Sequence, residues 1–365
     1  MPATPLTSDA PIRLGLIGAG GIVTSRHLPN LAKLPGVSLV AVANRSLDSG
    51  RAVAQKWNIP HVDKDWTAVI RREDVDAVLI GTWPYMHAEM SIASLAAGKH
   101  VFCQSRMAMN LGEARAMLDA ATTHRHLVSM LCPPPHRMPL ENVIRDWLHT
   151  GEAGDIAAIT VTSVNDASLQ SPTLHWRENV AYSGQQIMAM GIYAETLNAW
   201  FGPYEHLSAQ FGQVIHHKAD EHGREVAVRI PQTVAIHGRL RGASQTVVSE
   251  LHCGAAAGAS GGGDWLHVYG TQASLRYRFM SSQIEVSRKG QAWSPLPLPE
   301  GQPTTVDAAW HAERDFIDAV RKARAGVPAA DRAVSPDFHE GLGYMAKIDA
   351  VHRSATEGRV IAVPQ

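Results

Sequence analysis

The segment Arg13-Leu-Gly-Leu-Ile-Gly18-Ala-Gly20-Gly21-Ile22 constrains the fold more than any other part of the chain. An apolar run, Ile12–Ile17, reads as a buried strand that enters closely spaced glycines and leaves them with helical periodicity. In that context Gly18 permits a tight turn, Gly20 lets the backbone approach a pyrophosphate, and the helix start offers unpaired N–H groups to the anion. Gly18, Gly20, Gly21 and Ile22 are therefore the expected dinucleotide contacts. Val23 stands where this fingerprint prefers a third Gly or Ala, which predicts slightly looser packing of helix on strand.

Strand and helix alternate from there to about residue 131. The pattern predicts helices over Ile22–Leu34 (with Pro29 bending or shortening it), Asp48–Trp57, Asp65–Arg72, Ala88–Ala97 and Leu111–Thr123. Gly98 sits in a C-capping position, and Asn110 with Glu113 forms a box-like start. Ser38–Ala43, Ala77–Ile80, His100–Cys103 and Val128–Leu131 read as further strands, and such alternation means a parallel, doubly wound sheet. Pro133-Pro134-Pro135 marks the composition break. It divides a Rossmann dinucleotide-binding domain, 12–132, from an α+β substrate-binding and oligomerisation domain, 133–365. Residues 1–11 read as a disordered lead-in without signal-peptide character.

The second part changes register. Helices are expected over Glu141–His149, Gly184–Trp200, Val306–Ala325 and Ser335–Ser354, the last two packing back on the body of the fold. Ile156–Val164, Leu207–Val214, Thr233–Leu240, Thr246–His252, Trp265–Tyr269, Ser274–Phe279 and Ile284–Arg288 have strand character. Strands in succession without intervening helices imply a mainly antiparallel sheet. Gly254–Gly263 reads as a flexible loop or lid, since it lacks the Gly-Lys-Ser/Thr of a phosphate loop.

A net charge of −1 over 365 residues points to neither nucleic acid nor an anionic membrane as partner. Cys103, Cys132 and Cys253 form no Cys-x-x-Cys pair and read as buried free thiols. The histidines show no zinc-like spacing, so no metal is expected, and the cytoplasm is the expected location.

A second marker follows the glycine turn. Where NAD-binding folds place an acidic residue against the ribose, this chain has Asn44-Arg45-Ser46. An uncharged side chain followed by Arg and Ser removes repulsion and supplies donors for a 2′-phosphate, which favours NADP(H) over NAD(H). Arg45 stacking on adenine or pointing to water is the other reading. Thr82 and Trp83 follow a strand's carboxyl end, where ligands of open α/β sheets bind, and are expected on the nicotinamide side. His87 is placed either on the cofactor or at the start of its helix.

With these residues the chain resembles the glucose–fructose oxidoreductase/inositol dehydrogenase/MocA oxidoreductases. The likeness rests on Gly18-Ala-Gly20-Gly21, Thr82-Trp-Pro-Tyr-Met-His87-Ala-Glu, Ala97-Gly98-Lys99-His100-Val101, Asn110-Leu-x-Glu-Ala-Arg115 and Gly151-Glu-x-Gly154-Asp-Ile. Trp176-Arg177, Gly191-Ile-Tyr193, Trp200-Phe-Gly202, Gly270-Thr-x-x-Ser274-Leu and Ser354-Ala-x-Glu-Gly358-Arg continue it in order. The resemblance implies a Rossmann domain, then an open-faced antiparallel sheet, with the active site in the cleft between them. It also implies a homo-oligomer, dimer or tetramer, formed through that sheet, and a sugar, sugar acid or cyclic polyol as small-molecule substrate.

The departures bear on mechanism. The family's Glu-Lys-Pro after the strand His100–Cys103 reads Gln104-Ser105-Arg106 here. Serine supplies no ammonium to polarise a carbonyl. Arg106 suits a substrate carboxylate or an ion pair holding the loop, but a guanidinium with a pKa above ~12 is a poor proton donor. Gln104 is kept on the cofactor side and Ser105 on the substrate side. The family's Asp-x-Gly-x-His-x-x-Asp reads Ala189-Met-Gly191-Ile-Tyr193-Ala-Glu195-Thr196. Tyr193 takes the histidine's place as candidate acid/base, its phenol pKa lowered beside a nicotinamide cation, or else forms an aromatic wall. Glu195 points elsewhere on a helix. His136, His175 and Arg177 are candidate substrate contacts in the implied cleft. The leading expectation is an NADP(H)-linked oxidoreductase, against a lyase or glycosidase using transient oxidation, or a non-catalytic nucleotide-dependent binding protein.

Overall fold

The apolar runs of the first third form a single parallel sheet. The computed structural model describes residues 10–187, 189–241, 246–258 and 263–364, so residues 1–9 of the lead-in and 259–262 of the glycine-rich loop lie outside the described residues. The strands are β1 (Ile12–Ile17), β2 (Val37–Ala43), β3 (His61–Val62), β4 (Ala77–Ile80), β5 (His100–Cys103) and β6 (Ser129–Leu131). Their order, β3-β2-β1-β4-β5-β6, reverses at β1 and β4. Ligands of such sheets bind beyond the carboxyl ends of the strands at this reversal. β1, β4 and β5 are buried on both faces, which is why they read as unbroken apolar runs. β3 has two residues, one exposed, and no apolar run announces it.

Side-chain caps start three of the helices. Ser46, Asp65 and Asn110 accept from backbone N–H groups at the heads of Leu47–Trp57, Trp66–Arg71 and Leu111–Thr123. Gly98, at φ +76°, follows the helix His87–Ala96 in the left-handed region that favours glycine. The helix expected over 22–34 is shorter. A π-helical turn, Val23–His27, passes without a break into Leu28–Leu31, and Pro29, which has no N–H to give, lies within that run.

A single boundary at the prolines does not describe the chain. Met1–Pro133 and His311–Leu342 make one unit, Pro134–Trp310 and Gly343–Gln365 the other. The returning segment carries an amphipathic helix, Ala312–Arg324, whose Ala312, Phe316, Ile317, Ala319 and Val320 are buried. Phe316 lies against Phe102 of β5, with ring centroids 5.5 Å apart. The Leu131 N–H of β6 donates to the Pro336 carbonyl at 2.8 Å. The helix expected over 306–325 is broken into Val306–Ala309 and Ala312–Arg324, because Trp310 takes an extended conformation (φ −72°, ψ 122°). The last helix runs Phe338–Glu357, later than expected, with Asp337 accepting from the His339 and Glu340 N–H groups.

The second unit is built on a nine-stranded sheet. Its elements are β7 (Ile156–Val164), β8 (Tyr204–Gly212), β9 (His217–Ala219), β10 (Glu225–Ala227), β11 (Thr233–Arg241), β12 (Thr246–Gly254), β13 (Trp265–Gly270), β14 (Ala273–Arg278), β15 (Ile284–Arg288), β16 (Ser294–Pro295) and β17 (Ile361–Ala362). The order is β16-β15-β14-β13-β7-β12-β11-β8-β17, while β9 and β10 form a separate ribbon. β7 and β12 pair in parallel and the other neighbours antiparallel. The helix expected over 184–200 starts later, at Met190, and ends at Phe201. Gly184, at φ +62° and ψ −135°, ends a short turn over Val180–Ser183 and breaks the helical path.

Candidate functional site

Two groups of candidate residues emerge, one in each unit. In the first, the chain turns at Gly18 (φ +78°), whose N–H donates to the Ala43 carbonyl of β2 at 2.8 Å. A Cβ on Gly18 would meet Thr82 Cγ2 at 2.6 Å. Gly20 and Gly21 differ. A Cβ on Gly20 would find only the Gly18 oxygen, at 4.0 Å, and on Gly21 nothing within 4 Å. The space beside them is open, and the first helical N–H groups beyond have no acceptor within their own helix. That is the cradle a pyrophosphate requires, and the residues fit a dinucleotide. Val23 is fully buried, and Gly81, at the end of β4, makes the room for it: a Cβ there would stand 2.2 Å from Val23 Cγ2. The close approach that the fingerprint gives to a third glycine is supplied here from the neighbouring strand.

At the end of β2, Asn44 Oδ1 accepts from the Ala19 N–H at 2.7 Å and so braces the glycine turn. Ser46 caps its helix, accepting from the Ser49 N–H at 3.3 Å. Arg45 is exposed, with its guanidinium carbon 6.0 Å from the Trp83 ring centroid. Thr82 and Trp83 are partly exposed at the carboxyl end of β4.

His87 and Gln104 prove to be framework. His87 is fully buried, with its ring nitrogens 2.8 Å from the Arg106 carbonyl and 3.0 Å from the Thr82 carbonyl. Burial pulls its pKa down, and its two polar atoms face the protein's own chain. Gln104 Oε1 accepts from the Ser105 N–H at 3.0 Å, while its amide nitrogen faces His27 Nε2. His27 in turn bonds Glu313 through Nδ1, and both are buried. The glutamine thus ties the loop after β5 to the helix Ala312–Arg324. The Ser105–Arg106 peptide is cis, and both side chains are partly exposed.

The second group lies in the other unit. Tyr193, on the helix Met190–Phe201, is fully buried and donates its phenol O–H to Asp264 Oδ2. His136 Nε2 lies 3.9 Å from the same oxygen, and the His136 and Tyr193 rings meet edge to face at 5.1 Å. Phe279 packs on both rings, at 5.2 Å from Tyr193 and 5.9 Å from His136. Burial, then the Asp264 charge, push the Tyr193 phenol far above its ordinary range. The expectation of a lowered phenol pKa is corrected on that ground: in this protein Tyr193 is a persistent hydrogen-bond donor. The Asp264 side chain is 31% exposed, so the accessible member of the cluster is the carboxylate. Sequence reasoning missed it. The only signal was an acidic side chain closing the run Gly261-Gly262-Gly263 at the head of β13.

His175 and Arg177 are not on an open loop. His175 caps a 3-10 turn, Trp176–Glu178, that contains Arg177, with His175 Nδ1 accepting from the Arg177 N–H at 3.3 Å. The Arg177 guanidinium lies 4.3 Å from the Trp176 ring centroid. Burial and the Arg177 charge lower the His175 pKa. Glu178, in the same turn, forms a buried pair with Lys218 of β9 at 2.9 Å. Both residues are exposed. Cys103, Cys132 and Cys253 are buried, and none is in a disulfide among the described residues. Among the described residues no helix is long and apolar enough to cross a membrane, and no three His, Cys, Asp or Glu side chains gather as metal ligands.

Residues 12–131 match the family model GFO_IDH_MocA, an oxidoreductase family with an NAD-binding Rossmann fold, and residues 145–363 match that family's C-terminal alpha/beta domain. Inositol 2-dehydrogenase from Klebsiella pneumoniae is 36% identical over 153 residues, covering 40% of this chain and 43% of the relative. Levoglucosan dehydrogenase from Pseudarthrobacter phenanthrenivorans is 30% identical over 186 residues, 47% of each chain. The chain spans about half the length of the curated relatives it matches. Among solved structures, levoglucosan dehydrogenase in complex with NADH and L-sorbose has a TM-score of 0.82 at 20% identity, over 97% of this chain and 99% of that one. This last likeness is one of fold.

Proposed function

The chain belongs to the GFO/IDH/MocA oxidoreductase family, and from that premise we propose that it transfers hydride between a nicotinamide dinucleotide and a small polar alcohol or carbonyl compound. The substrate class is a sugar, sugar acid or cyclic polyol, in keeping with the levoglucosan and inositol dehydrogenases it resembles. One observation carries the reading: the open backbone at Gly20 and Gly21, where added Cβ atoms would meet almost nothing of the protein. When bound, the nicotinamide supplies hydride transfer, and the remaining work falls to the chain's own side chains. Arg106 anchors the substrate, best through a carboxylate. Tyr193 orders the proton-handling cluster through its bond to Asp264.

NADP(H) is the favoured cofactor. Asn44 places no negative charge at the ribose position, and the exposed Arg45 offers a guanidinium to a 2′-phosphate. Calorimetry with both cofactors tests this. NADP(H) binds more tightly than NAD(H), and Arg45→Ala weakens NADP(H) by about 10-fold or more while leaving NAD(H) nearly unchanged, as expected for loss of one charge-assisted contact. Failure to bind either cofactor overturns the whole reading. Turnover of sugars or polyols without net change in nicotinamide absorbance replaces net oxidation with transient oxidation.

We also infer a homo-oligomer formed through the nine-stranded sheet. Trp265, His267 and Tyr269 share one face of β13 while Leu266 and Val268 are fully buried on the other. The Arg276 guanidinium of β14 lies 5.8 Å from the Trp265 ring centroid and 4.8 Å from that of Trp293. Aromatic and arginine side chains on one sheet face are what a subunit contact requires.

A further inference from the structure

We propose that the first unit carries a second binding site, for a small oxyanion (a carboxylate or phosphate on a compact body), held by the buried guanidinium of Arg332. The inference is independent of the oxidoreductase reading above, and every residue it uses lies within that one unit. A cleft of about 210 Å³ is lined by Thr122 and Arg125 at and beyond the end of the helix Leu111–Thr123, by Val128 and Ser129 at the head of β6, and by Arg332 and Phe338 of the returning segment. That volume is below the ~300–1,000 Å³ of sites for drug-sized ligands, so the occupant is small. Ser129 begins β6, whereas the dinucleotide turn follows the carboxyl end of β1. The strands between them pair in parallel, so the cleft and the cofactor cradle lie at opposite edges of the sheet.

Arg332 carries the inference. It is 7% exposed, and among the described residues it forms no ion pair with a carboxylate. A guanidinium has five N–H donors. Nη2 donates to the Arg125 and His126 carbonyls, each at 2.9 Å, which fixes the side chain in place. Nε is buried without a hydrogen-bond partner, and among the described residues Nη1 has none either. A buried cation with no countercharge and unused donors is costly, and a bound anion supplies what it lacks. The charge is felt by its neighbour: burial first, and then Arg332, pull the His100 pKa down to about 4. His100 answers as a neutral ring, its Nδ1 accepting from the Val128 N–H at 2.9 Å. Burial lowers the pKa of Arg332 itself, with no acidic neighbour to offset it.

The rest of the lining suits such a ligand. Asp337 is the one carboxylate on it, and its Oδ1 accepts from the His339 and Glu340 N–H groups at 2.9 and 2.8 Å instead of meeting Arg332. Arg125 and His339 line the cleft with exposed side chains, and Thr122 and Ser129 add hydroxyl donors. Leu118, Leu127, Val334 and Phe338 give it apolar wall for the body of an organic anion. A planar guanidinium matches the paired oxygens of a carboxylate or phosphate.

Calorimetry on the full chain tests the site, with benzoate and inorganic phosphate as probes and benzamide as the uncharged control. At least one anion is expected to bind and benzamide is not. Benzoate alone identifies a carboxylate on an apolar body as the ligand class, and phosphate alone identifies a phosphate. Arg332→Met is expected to weaken the anion by about 10-fold or more, as for loss of a charge-assisted contact. Arg332 also holds two backbone carbonyls, so Thr122→Trp serves as the second variant. It fills the cleft from an exposed position, leaves Arg332 in place, abolishes anion binding and keeps dinucleotide affinity. Nitrogen-15 spectra of arginine-labelled protein locate the anion: the Nε–H resonance lost in Arg332→Met moves when the anion is added. No binding of either anion at millimolar concentrations overturns the inference. Binding that persists in Thr122→Trp with the Arg332 resonance unmoved overturns it as well, by placing the anion elsewhere. Neither result touches the oxidoreductase reading, which stands or falls on dinucleotide binding.

Discussion

Gly21 and Gly81 are two glycines of the same region with opposite surroundings. A Cβ on Gly81 would collide with Val23 at 2.2 Å and with the Gly18 carbonyl oxygen at 2.7 Å, whereas a Cβ on Gly21 would enter open space. Gly81→Ala is therefore expected to destabilise the protein by about 2–3 kcal/mol through overpacking, seen as a lower melting temperature. Gly21→Ala leaves the melting temperature unchanged or slightly raised, since alanine is the better helix former. It weakens dinucleotide binding by about 10-fold or more, because the added methyl stands where the pyrophosphate approaches, and calorimetry reads the loss. Sequence spacing placed both glycines near the turn but did not separate a packing glycine from a ligand glycine. The same limit applies to His87, whose burial between two carbonyls is a property of three segments at once. Asp264 shows it most clearly: no motif surrounds it, and its meaning comes from Tyr193, 71 positions away in sequence.

At the scale of elements, Asp76 joins the beginning of β4 to two other segments. Its carboxylate accepts from Arg13 of β1 at 2.7 Å and pairs with Arg324 on the helix Ala312–Arg324. Burial alone would raise the Asp76 pKa, but the Arg13 side-chain and backbone hydrogen bonds, with the Arg324 and Arg13 charges, outweigh it and hold it below the ordinary range. A carboxyl lowered in the folded state contributes stability that is complete above its unfolded pKa, about 3.9, and is lost as pH falls through the lowered folded value. Asp76→Asn is accordingly expected to cost about 2–3 kcal/mol at neutral pH. The gap in melting temperature between variant and wild type closes as the solution is taken below about pH 4. The helix itself was legible from its amphipathic pattern. Its place beside β1 and β5 was not, because a pattern gives the apolar face and not the surface that covers it. The break at Trp310 and the delayed start at Met190 were likewise hidden, since each depends on backbone angles that side-chain periodicity does not encode.

Over the whole molecule, the chain builds most of the first unit, then most of the second, and then returns His311–Leu342 to the first. The composition break at the three prolines marked the departure, and nothing comparable marks the return. The second unit's sheet gives the remaining prediction. Tyr269 is 40% exposed on the face of Trp265 and His267, and Tyr269→Glu places a charge there without entering the core. Light scattering is expected to find wild type as a dimer or tetramer and Tyr269→Glu shifted to smaller species, with cofactor affinity retained. A wild-type monomer at micromolar concentration sinks the proposed sheet contact.

By itself the sequence determined the nucleotide turn, the parallel sheet, the run of strands that follows, and the Gln104-Ser105-Arg106 step after β5. These are local properties: glycine spacing, apolar runs and the identity of a side chain at a given step are written in consecutive residues. The tertiary structure alone decided that Gly81 makes the room Val23 needs, that Gln104 and His87 are framework, and that Tyr193 is a buried donor with Asp264 as its partly exposed acceptor. Each of those depends on residues from separate elements meeting within hydrogen-bond or van der Waals distance, and both burial and pKa follow from that meeting.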